Sequence, residues 1–508
     1  MYDDNHLVHA LRQASLGAND KTFLHNHQTG EDVSFGAFFN NAERMAAVLA
    51  NAGLRPGDRV AVQAPKTQAM LELYVGTVMA GGVFLPLNTA YTSAEVEYFL
   101  NDATPRILVC DGAKRDDLAP VAEAAGVASI FTIAADETGS LPKARDAANA
   151  GFKAVPRGTG DLAAILYTSG TTGRSKGAML THGALDSNSA TLRDYWQFTP
   201  DDVLIHALPI FHTHGLFVAT NVSLMAGSSC IFLAGFDAKA ILDHMPNATS
   251  LMGVPTFYTR LLEHKELASA SRRMRLFVSG SAPLLAETHD RWREATGHAI
   301  LERYGMTETN MNTSNPYDGD RRAGTVGFAL PGIEIKICDP ETGETLPTGD
   351  VGVLEVRGPN VFAGYWQMPE KTAEELRSDG FFITGDLAKV DEDGYVHIVG
   401  RQKDLIITGG YNVYPKEVEL LIDDLDGVEE SAVIGVAHPD LGEAVVAVVV
   451  PRKTVALTEG AIMSGVATDL AKFKQPKKVM VVDALPRNTM GKVQKNILRQ
   501  DYGDLFLE

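Results

Sequence analysis

Apolar and polar positions alternate along the first half of the chain in a way that separates short strands from helix-length stretches. Arg59-Val60-Ala61-Val62-Gln63 predicts a strand, and the apolar residues from Met70 to Val83 predict a helix. Ala94 to Asn101 predicts a second helix with Ser93 as its N-cap, and Arg106-Ile107-Leu108-Val109-Cys110 another strand. Leu162 to Tyr167 is an unbroken apolar run that predicts a buried strand. This strand–helix–strand rhythm predicts an α/β fold whose parallel or mixed sheets are covered by helices. Between Ala134 and Gly160 the chain is polar and poor in aromatics, and is expected to be a connection.

From Gly332 the pattern shifts to short strands and Gly/Pro turns, at Glu334–Ile337, Val353–Val356 and Tyr395–Ile398. After Gly400 the alternation resumes, with a helix from Pro415 to Leu425 and strands near Ser431–Val436 and Ala444–Val450. The expected organisation is a large N-terminal domain over 1–400, with a β-rich subdomain at 331–400. A small α+β domain over 401–508 follows a boundary at Arg401-Gln402-Lys403-Asp404.

Composition narrows the functional classes. A length of 508 residues exceeds one ordinary core, and a formal charge of −19 leaves no basic surplus for a nucleic-acid partner. A few local cations can still dominate a pocket for a small anion. Cys110, Cys230 and Cys338 lie far apart in apolar segments, which fits a reducing compartment better than a disulfide framework or a metal cluster. The polar, acidic N-terminus is unlike a secretory signal, and the apolar stretch from Leu73 to Leu87 is interrupted by Gly76, Gly81 and Gly82. The expectation is a cytoplasmic protein with no membrane partner.

Four clusters carry chemistry. Thr168-Ser169-Gly170-Thr171-Thr172-Gly173-Arg174-Ser175-Lys176-Gly177 follows a strand and combines glycines, hydroxyls and two cations, a set that suits a polyphosphate. It lacks the Gly-Lys-Ser/Thr spacing of a Walker loop; read alone it favours phosphate binding modestly over a flexible surface loop. In Leu301-Glu302-Arg303-Tyr304-Gly305-Met306-Thr307-Glu308-Thr309, Glu308 is a candidate Mg²⁺ ligand, because hard cations take oxygen donors. Asp386 of Thr384-Gly385-Asp386 is a candidate acceptor for ribose hydroxyls. Lys492 stands just after a glycine in Asn488-Thr489-Met490-Gly491-Lys492, and alone it reads as a surface lysine.

In this order, together with Pro209-Ile210-Phe211-His212, Ser279-Gly280-Ser281-Ala282-Pro283 and Gly400-Arg401-Gln402-Lys403-Asp404, these motifs resemble the adenylate-forming superfamily along essentially the whole chain. That superfamily comprises acyl-CoA synthetases, adenylation domains of peptide synthetases and beetle luciferases. The resemblance implies a two-step ligation, in which a carboxylate attacks the α-phosphate of ATP and a thiol then displaces AMP. It implies that Thr168, Ser169, Gly170, Thr171, Thr172, Gly173 and Lys176 hold the outer phosphates. Gly280, Ser281, Ala282 and Tyr304 would line the adenine site, Gly305 would belong to the nucleotide site beside them, and Thr307 would contact the α-phosphate. Glu308 would hold Mg²⁺, Asp386 and Arg401 the ribose, and Lys492 both the carboxylate and the α-phosphate. A pivot at Lys403 and a coenzyme A channel at Gly409, Gly410 and Tyr411 are implied as well.

The run ERYGMTE resembles malonyl-CoA synthetases, with Arg303 as the discriminating residue. A guanidinium can clamp the second carboxylate of malonate through paired, charge-assisted hydrogen bonds. Methylmalonate should also fit, since one methyl group discriminates weakly. Ser281 is the expected second donor, with His212 and Met311, and also Thr256, as pocket walls. Alternatives are a ligase for another short or medium acid, or a free-standing adenylation enzyme that loads a carrier-protein thiol. A non-catalytic nucleotide-binding regulator is disfavoured because Lys176, Glu308 and Lys492 are all present. The segment around Lys492 also resembles the acetylation site of bacterial acyl-CoA synthetases, which implies a protein lysine acetyltransferase as partner.

Overall fold

The computed structural model describes residues 3–168, 175–409, 411–453, 457–488 and 491–506. Six residues of the glycine- and hydroxyl-rich loop, Ser169, Gly170, Thr171, Thr172, Gly173 and Arg174, therefore lie outside the described residues, as do Gly410, Thr489 and Met490. The chain forms two compact units, Met1–Glu334 with Val356–Phe382, and Ile335–Glu355 with Ile383–Glu508.

The first unit is built on two sheets. A six-stranded sheet runs in the order Ser129–Thr132, Ile107–Cys110, Arg59–Gln63, Val83–Pro86, Leu162–Thr168, Lys176–Thr181. Its strands are parallel apart from the last pair, which is antiparallel. A nine-stranded sheet has a parallel centre in the order Leu301–Met306, Leu276–Ser279, Ser250–Gly253, Val203–His206, Ser229–Phe232, Thr22–Asn26, with antiparallel strands at both edges. The helix Gln68–Met79 is buried from Ala69 onward. Its Tyr74 ring meets Phe84 at 5.4 Å on one side and Phe217 at 5.6 Å on the other, and the phenol donates to Asn221 at 3.2 Å. A helix wedged in this way has no solvent face, which explains its continuous apolar sequence.

Several expectations are corrected at this level. The apolar run from Met70 to Val83 is a helix only as far as Met79; Gly81 takes φ +77° and the chain re-enters a sheet as Val83–Pro86. The helix predicted from Ala94 spans Ser93–Ala103, and its cap is Thr92, not Ser93. Thr92 and Glu95 form a reciprocal capping box that satisfies two end amides. The polar connection from Ala134 to Gly160 contains a helix, Ser140–Ala147.

The second unit carries most of a four-stranded sheet, Glu334–Cys338, Gly352–Arg357, Phe382–Val390, Val396–Arg401, which is the expected β-rich subdomain. A short 3₁₀ turn, Gln402–Asp404, leads into a five-stranded sheet centred on Val428–His438 and Gly442–Pro451. Alternate residues of Gly442–Pro451 serve two cores. Val445, Ala447 and Val449 pack with Val418 and Ile422 of the helix Pro415–Asp423, while Val446, Val448 and Val450 pack with Leu498. The anticipated boundary at Arg401–Asp404 thus joins two sheets of one compact unit. Among the described residues no helix is long and apolar enough to cross a membrane.

Candidate active site

The chemistry-bearing segments of the first unit emerge from the carboxyl ends of adjacent parallel strands, where open α/β sheets place their ligands. Ser279 ends one strand, and the following Gly280 donates its N–H to Gly253 O at 3.4 Å, at the end of the neighbouring strand. Leu301–Met306 supplies Arg303, Tyr304 and Gly305, then turns tightly through Thr307 and Glu308 into Asn310–Ser314. A side chain at Gly305 is impossible without movement, since its Cβ would stand 2.0 Å from Asn310 O.

One cluster surrounds the base of the loop. Thr168 and Lys176 face each other where the strands pair. Lys176 Nζ lies 3.2 Å from Glu375 Oε1 and 4.1 Å from the centre of the Tyr365 ring. The Tyr365 hydroxyl is 2.6 Å from Glu375 and 3.1 Å from Glu308, both as acceptors. One phenolic proton serves one carboxylate at a time, so Tyr365 links the two acids. Glu308 is buried, and the described residues contain no group of three or more His, Cys, Asp or Glu placed to hold a metal. A single buried carboxylate fits Mg²⁺, which keeps water and phosphate oxygens as its other ligands.

The second cluster is built around Arg303, which is 3% exposed. Its guanidinium lies flat against Gly280, where a Cβ would stand 2.4 Å from Cζ. Its Nε and Nη2 have no hydrogen-bond partner among the described residues. Burial, only partly offset by Tyr258 and Glu302, pushes Arg303 down from the ordinary guanidinium range to about 9. Glu302 points elsewhere, accepting the Leu284 N–H at 3.1 Å, as expected for adjacent residues of one strand. Ser281, in the left-handed region at φ +71°, holds its hydroxyl 3.3 Å from His214 Nδ1. His214 is buried and His212 half-buried, and the buried Nε2 of each has no partner among the described residues. Burial lowers His212 to about 4; burial, then the Arg303 cation, puts His214 well below 6.5, so both rings are neutral. Met311 packs beside Gly305 in the strand pair and receives a hydrogen bond on its carbonyl from Asn188 at 2.8 Å.

The second unit presents its own set. Asp386 and Arg401 are direct partners in an antiparallel pair, and Arg401 Nε lies 2.7 Å from Asp386 Oδ1. Arg401 also donates to Thr384 O at 3.3 Å. Lys492 closes a turn in which its N–H donates to Asn488 Oδ1 at 2.9 Å. Desolvation, then the Arg401 cation, lowers Lys492 from 10.5 to about 8. Lys403 lies in the 3₁₀ turn beside Asp404, which Arg499 holds at 2.6 Å. Gly409 (φ +57°) leads to Tyr411, which is 60% exposed and stacks on Phe473 at 4.7 Å.

Two family models match the chain, the AMP-binding enzyme model over residues 11–366 and the AMP-binding enzyme C-terminal domain over 417–492. The chain belongs to the AMP-binding enzyme family. Within this adenylate-forming family it is similar to a malonate–CoA ligase of Arabidopsis thaliana, 35% identical over 97% of this chain and 83% of that protein. It is also similar to a feruloyl-CoA synthase of Amycolatopsis, 36% identical over 97% of this chain and 98% of that protein. The crystal structure of ATP-bound MatB from Rhodopseudomonas palustris superposes with a TM-score of 0.97, at 59% identity, covering 99% of this chain and 100% of that one. This AMP-binding enzyme thus has the family fold, and it is an AMP-forming acid–CoA ligase.

Sequence reading gave no role to Glu375 or His214. Glu375 is remote in sequence from both Lys176 and Glu308 and ends a helix, Pro369–Glu375, with no distinctive pattern. His214 opens a buried π-helical segment, His214–Thr220, and such segments are often found at functional sites, but nothing in the local sequence announces one.

Proposed function

We propose that this AMP-binding enzyme ligates malonate to coenzyme A through a malonyl-adenylate. The observation that carries this reading is the set of buried nitrogens without partners among the described residues: Arg303 Nε and Nη2, His212 Nε2 and His214 Nε2. A buried guanidinium whose nitrogens are not hydrogen-bonded is costly, and a second carboxylate on the substrate would relieve that cost. With the neutral His214 ring accepting the Ser281 proton at Nδ1, its Nε2–H is left to donate. The reading favours a dicarboxylate over an aromatic acid, whose apolar ring would leave these donors unsatisfied.

In the first half-reaction, one malonate carboxylate oxygen attacks the α-phosphorus of ATP, the bond to the β-phosphate oxygen breaks, and pyrophosphate leaves. Arg303 holds the far carboxylate and so orients the near one. Thr168, Lys176 and the loop between them take the outer phosphates; Gly280, Ser281, Ala282 and Tyr304 form the adenine site with Gly305 beside them, and Thr307 meets the α-phosphate. Glu308, kept in place by Tyr365, is the residue that would hold Mg²⁺, which supplies neutralisation of phosphate charge. On the second unit, Asp386 and Arg401 serve the ribose hydroxyls, and Lys492 supplies positive charge to the reacting oxygens. Such transfers depend on positioning and electrostatics more than on covalent help. In the second half-reaction, the thiolate of coenzyme A attacks the acyl carbon and AMP leaves, with Gly409 to Tyr411 at the thiol channel and Lys403 as the pivot. Met311 is a wall residue in this scheme.

The test separates the half-reactions. Malonate should drive ATP–pyrophosphate exchange without coenzyme A, and sustained AMP release should require coenzyme A. Exchange driven by acetate or ferulate but not by malonate would sink the proposal.

A further inference from the structure

His206 is a buried titratable group with no part in the scheme above. It ends the strand Val203–His206 and is 1% exposed. Its Nε2 lies 2.9 Å from Gly215 O and 3.2 Å from Thr220 Oγ1. Its Nδ1 lies 3.1 Å from Lys66 Nζ, which also donates to His206 O at 2.8 Å. These neighbours assign the proton. A carbonyl oxygen only accepts, so Nε2 carries the hydrogen; an amine nitrogen, charged or neutral, has a hydrogen to give, so Nδ1 accepts. Lys66 need not be a cation for this, and burial holds it well below the ordinary lysine range. Burial likewise keeps His206 neutral. With both ring nitrogens engaged and one tautomer selected, His206 is a fixed donor at the end of a strand.

What it holds is the turn that carries His214. The segment His214–Thr220 is π-helical and buried throughout. Such turns are rare and gather at functional sites. Two sets of contacts fix this one. Gly215 packs directly on the preceding loop, where a Cβ would stand 2.1 Å from Pro209 O. The Gly215 carbonyl accepts from His206 Nε2 and, at 3.0 Å, from the Thr220 hydroxyl. His214 is the residue just before Gly215. Its ring is buried, with Nδ1 3.3 Å from Ser281 Oγ and Nε2 without a partner among the described residues. A shift of Gly215 therefore displaces the His214 ring relative to Ser281 and Arg303. We propose that His206 is a positioning residue for the acid site. Its Nε2–H, bound to the Gly215 carbonyl, sets the turn that aims His214 at the far carboxylate of malonate. The inference rests on the malonate reading and adds to it the residue that orients one of the donors.

The test compares His206→Leu and His206→Gln with the wild type in ATP–pyrophosphate exchange driven by malonate or by acetate. Leucine fills the space and removes the donor, whereas glutamine restores an N–H near the position of Nε2. KM for malonate should rise about 10-fold in His206→Leu, for one buried hydrogen bond lost, and return to within about threefold of the wild type in His206→Gln. KM for acetate, which lacks the far carboxylate, and KM for ATP should stay as in the wild type in both. Thr220→Val keeps its shape and removes the second donor to the same carbonyl, so it decides the matter if His206→Leu fails to fold. It should raise KM for malonate about threefold, again with acetate and ATP unaffected. Equal rises for malonate and acetate, no rise in the folded variants, or no recovery in His206→Gln would each overturn the assignment. If malonate drives exchange in the wild type and these variants leave its KM alone, only the role of His206 fails. If malonate drives none in the wild type, the malonate reading fails with it.

Discussion

Replacing Arg303 by leucine should convert a dicarboxylate-selective enzyme into one that treats malonate and acetate alike. The guanidinium is 3% exposed and has two nitrogens, Nε and Nη2, without partners among the described residues, so a carboxylate docked there would gain two charge-assisted hydrogen bonds. At about 1.5–3 kcal/mol each, their loss amounts to roughly 3–6 kcal/mol, or about 10²- to 10⁴-fold in kcat/KM for malonate. Acetate has no second carboxylate, and its kcat/KM should change by no more than about threefold on the same reasoning. Misfolding is separable from loss of contact. Removing a buried, unpartnered cation should leave the melting temperature of the ligand-free protein unchanged or higher, while the upward shift that malonate produces in the wild type disappears. A pH dependence follows too, because Arg303 binds malonate only as the cation. With its pKa lowered to about 9 by burial, malonate binding to the free enzyme should weaken above pH 9. Stability should move in the opposite sense. Above about 9 and up to the ordinary guanidinium range the unfolded chain holds the proton and the native one does not, so stability rises with pH through that window. Steady-state kinetics with both acids and thermal shifts with and without malonate decide the matter. Equal losses for malonate and acetate in a stable Arg303→Leu protein would refute the reasoning.

Gly280→Ala tests the same contact from the other side: its Cβ would stand 2.4 Å from Arg303 Cζ, so KM for malonate should rise at least about tenfold, measured by titrating malonate at saturating ATP. Lys492→Ala should lower malonate-driven pyrophosphate release by about 10²- to 10³-fold, the usual cost of removing a transition-state donor. Because Lys492 titrates near 8, the rate of that step in the wild type should fall as pH rises through 8, and in Lys492→Arg this fall should move to higher pH. Glu375→Gln removes the carboxylate that holds Lys176 at 3.2 Å and receives the Tyr365 hydroxyl, so KM for ATP and half-saturating Mg²⁺ should both rise, with KM for malonate unchanged.

Periodicity located the elements whose faces differ in solvent exposure. Arg59–Gln63 is a strand with the predicted limits, and the strand–helix–strand order of the first half is the one observed. It failed where burial is uniform. The run from Met70 to Val83 is enclosed on all sides, so nothing in its polarity marks where helix gives way to strand; only Gly81 does. The cap is Thr92 and not Ser93 because Glu95 reaches back to the Thr92 N–H, at 2.8 Å, a box whose Thr-x-x-Glu spacing stands in the sequence. At the site, motif resemblance pointed to Arg303 before any geometry, but not to the two neutral histidines and the glycine wall that give it an anion's environment. The contacts of Glu375 with Lys176 and Tyr365 arise only through packing of segments distant in sequence, and no local pattern records them.

The central claim is that the buried donors around Arg303 select malonate. Its most direct test is a competition in one vessel, with ATP, Mg²⁺, limiting coenzyme A and equal concentrations of malonate, methylmalonate, acetate and ferulate, and the acyl-CoA products resolved by mass. Malonyl-CoA should dominate, with methylmalonyl-CoA second and AMP released in equal amount to total acyl-CoA. Acetyl-CoA or feruloyl-CoA as the main product would contradict the account.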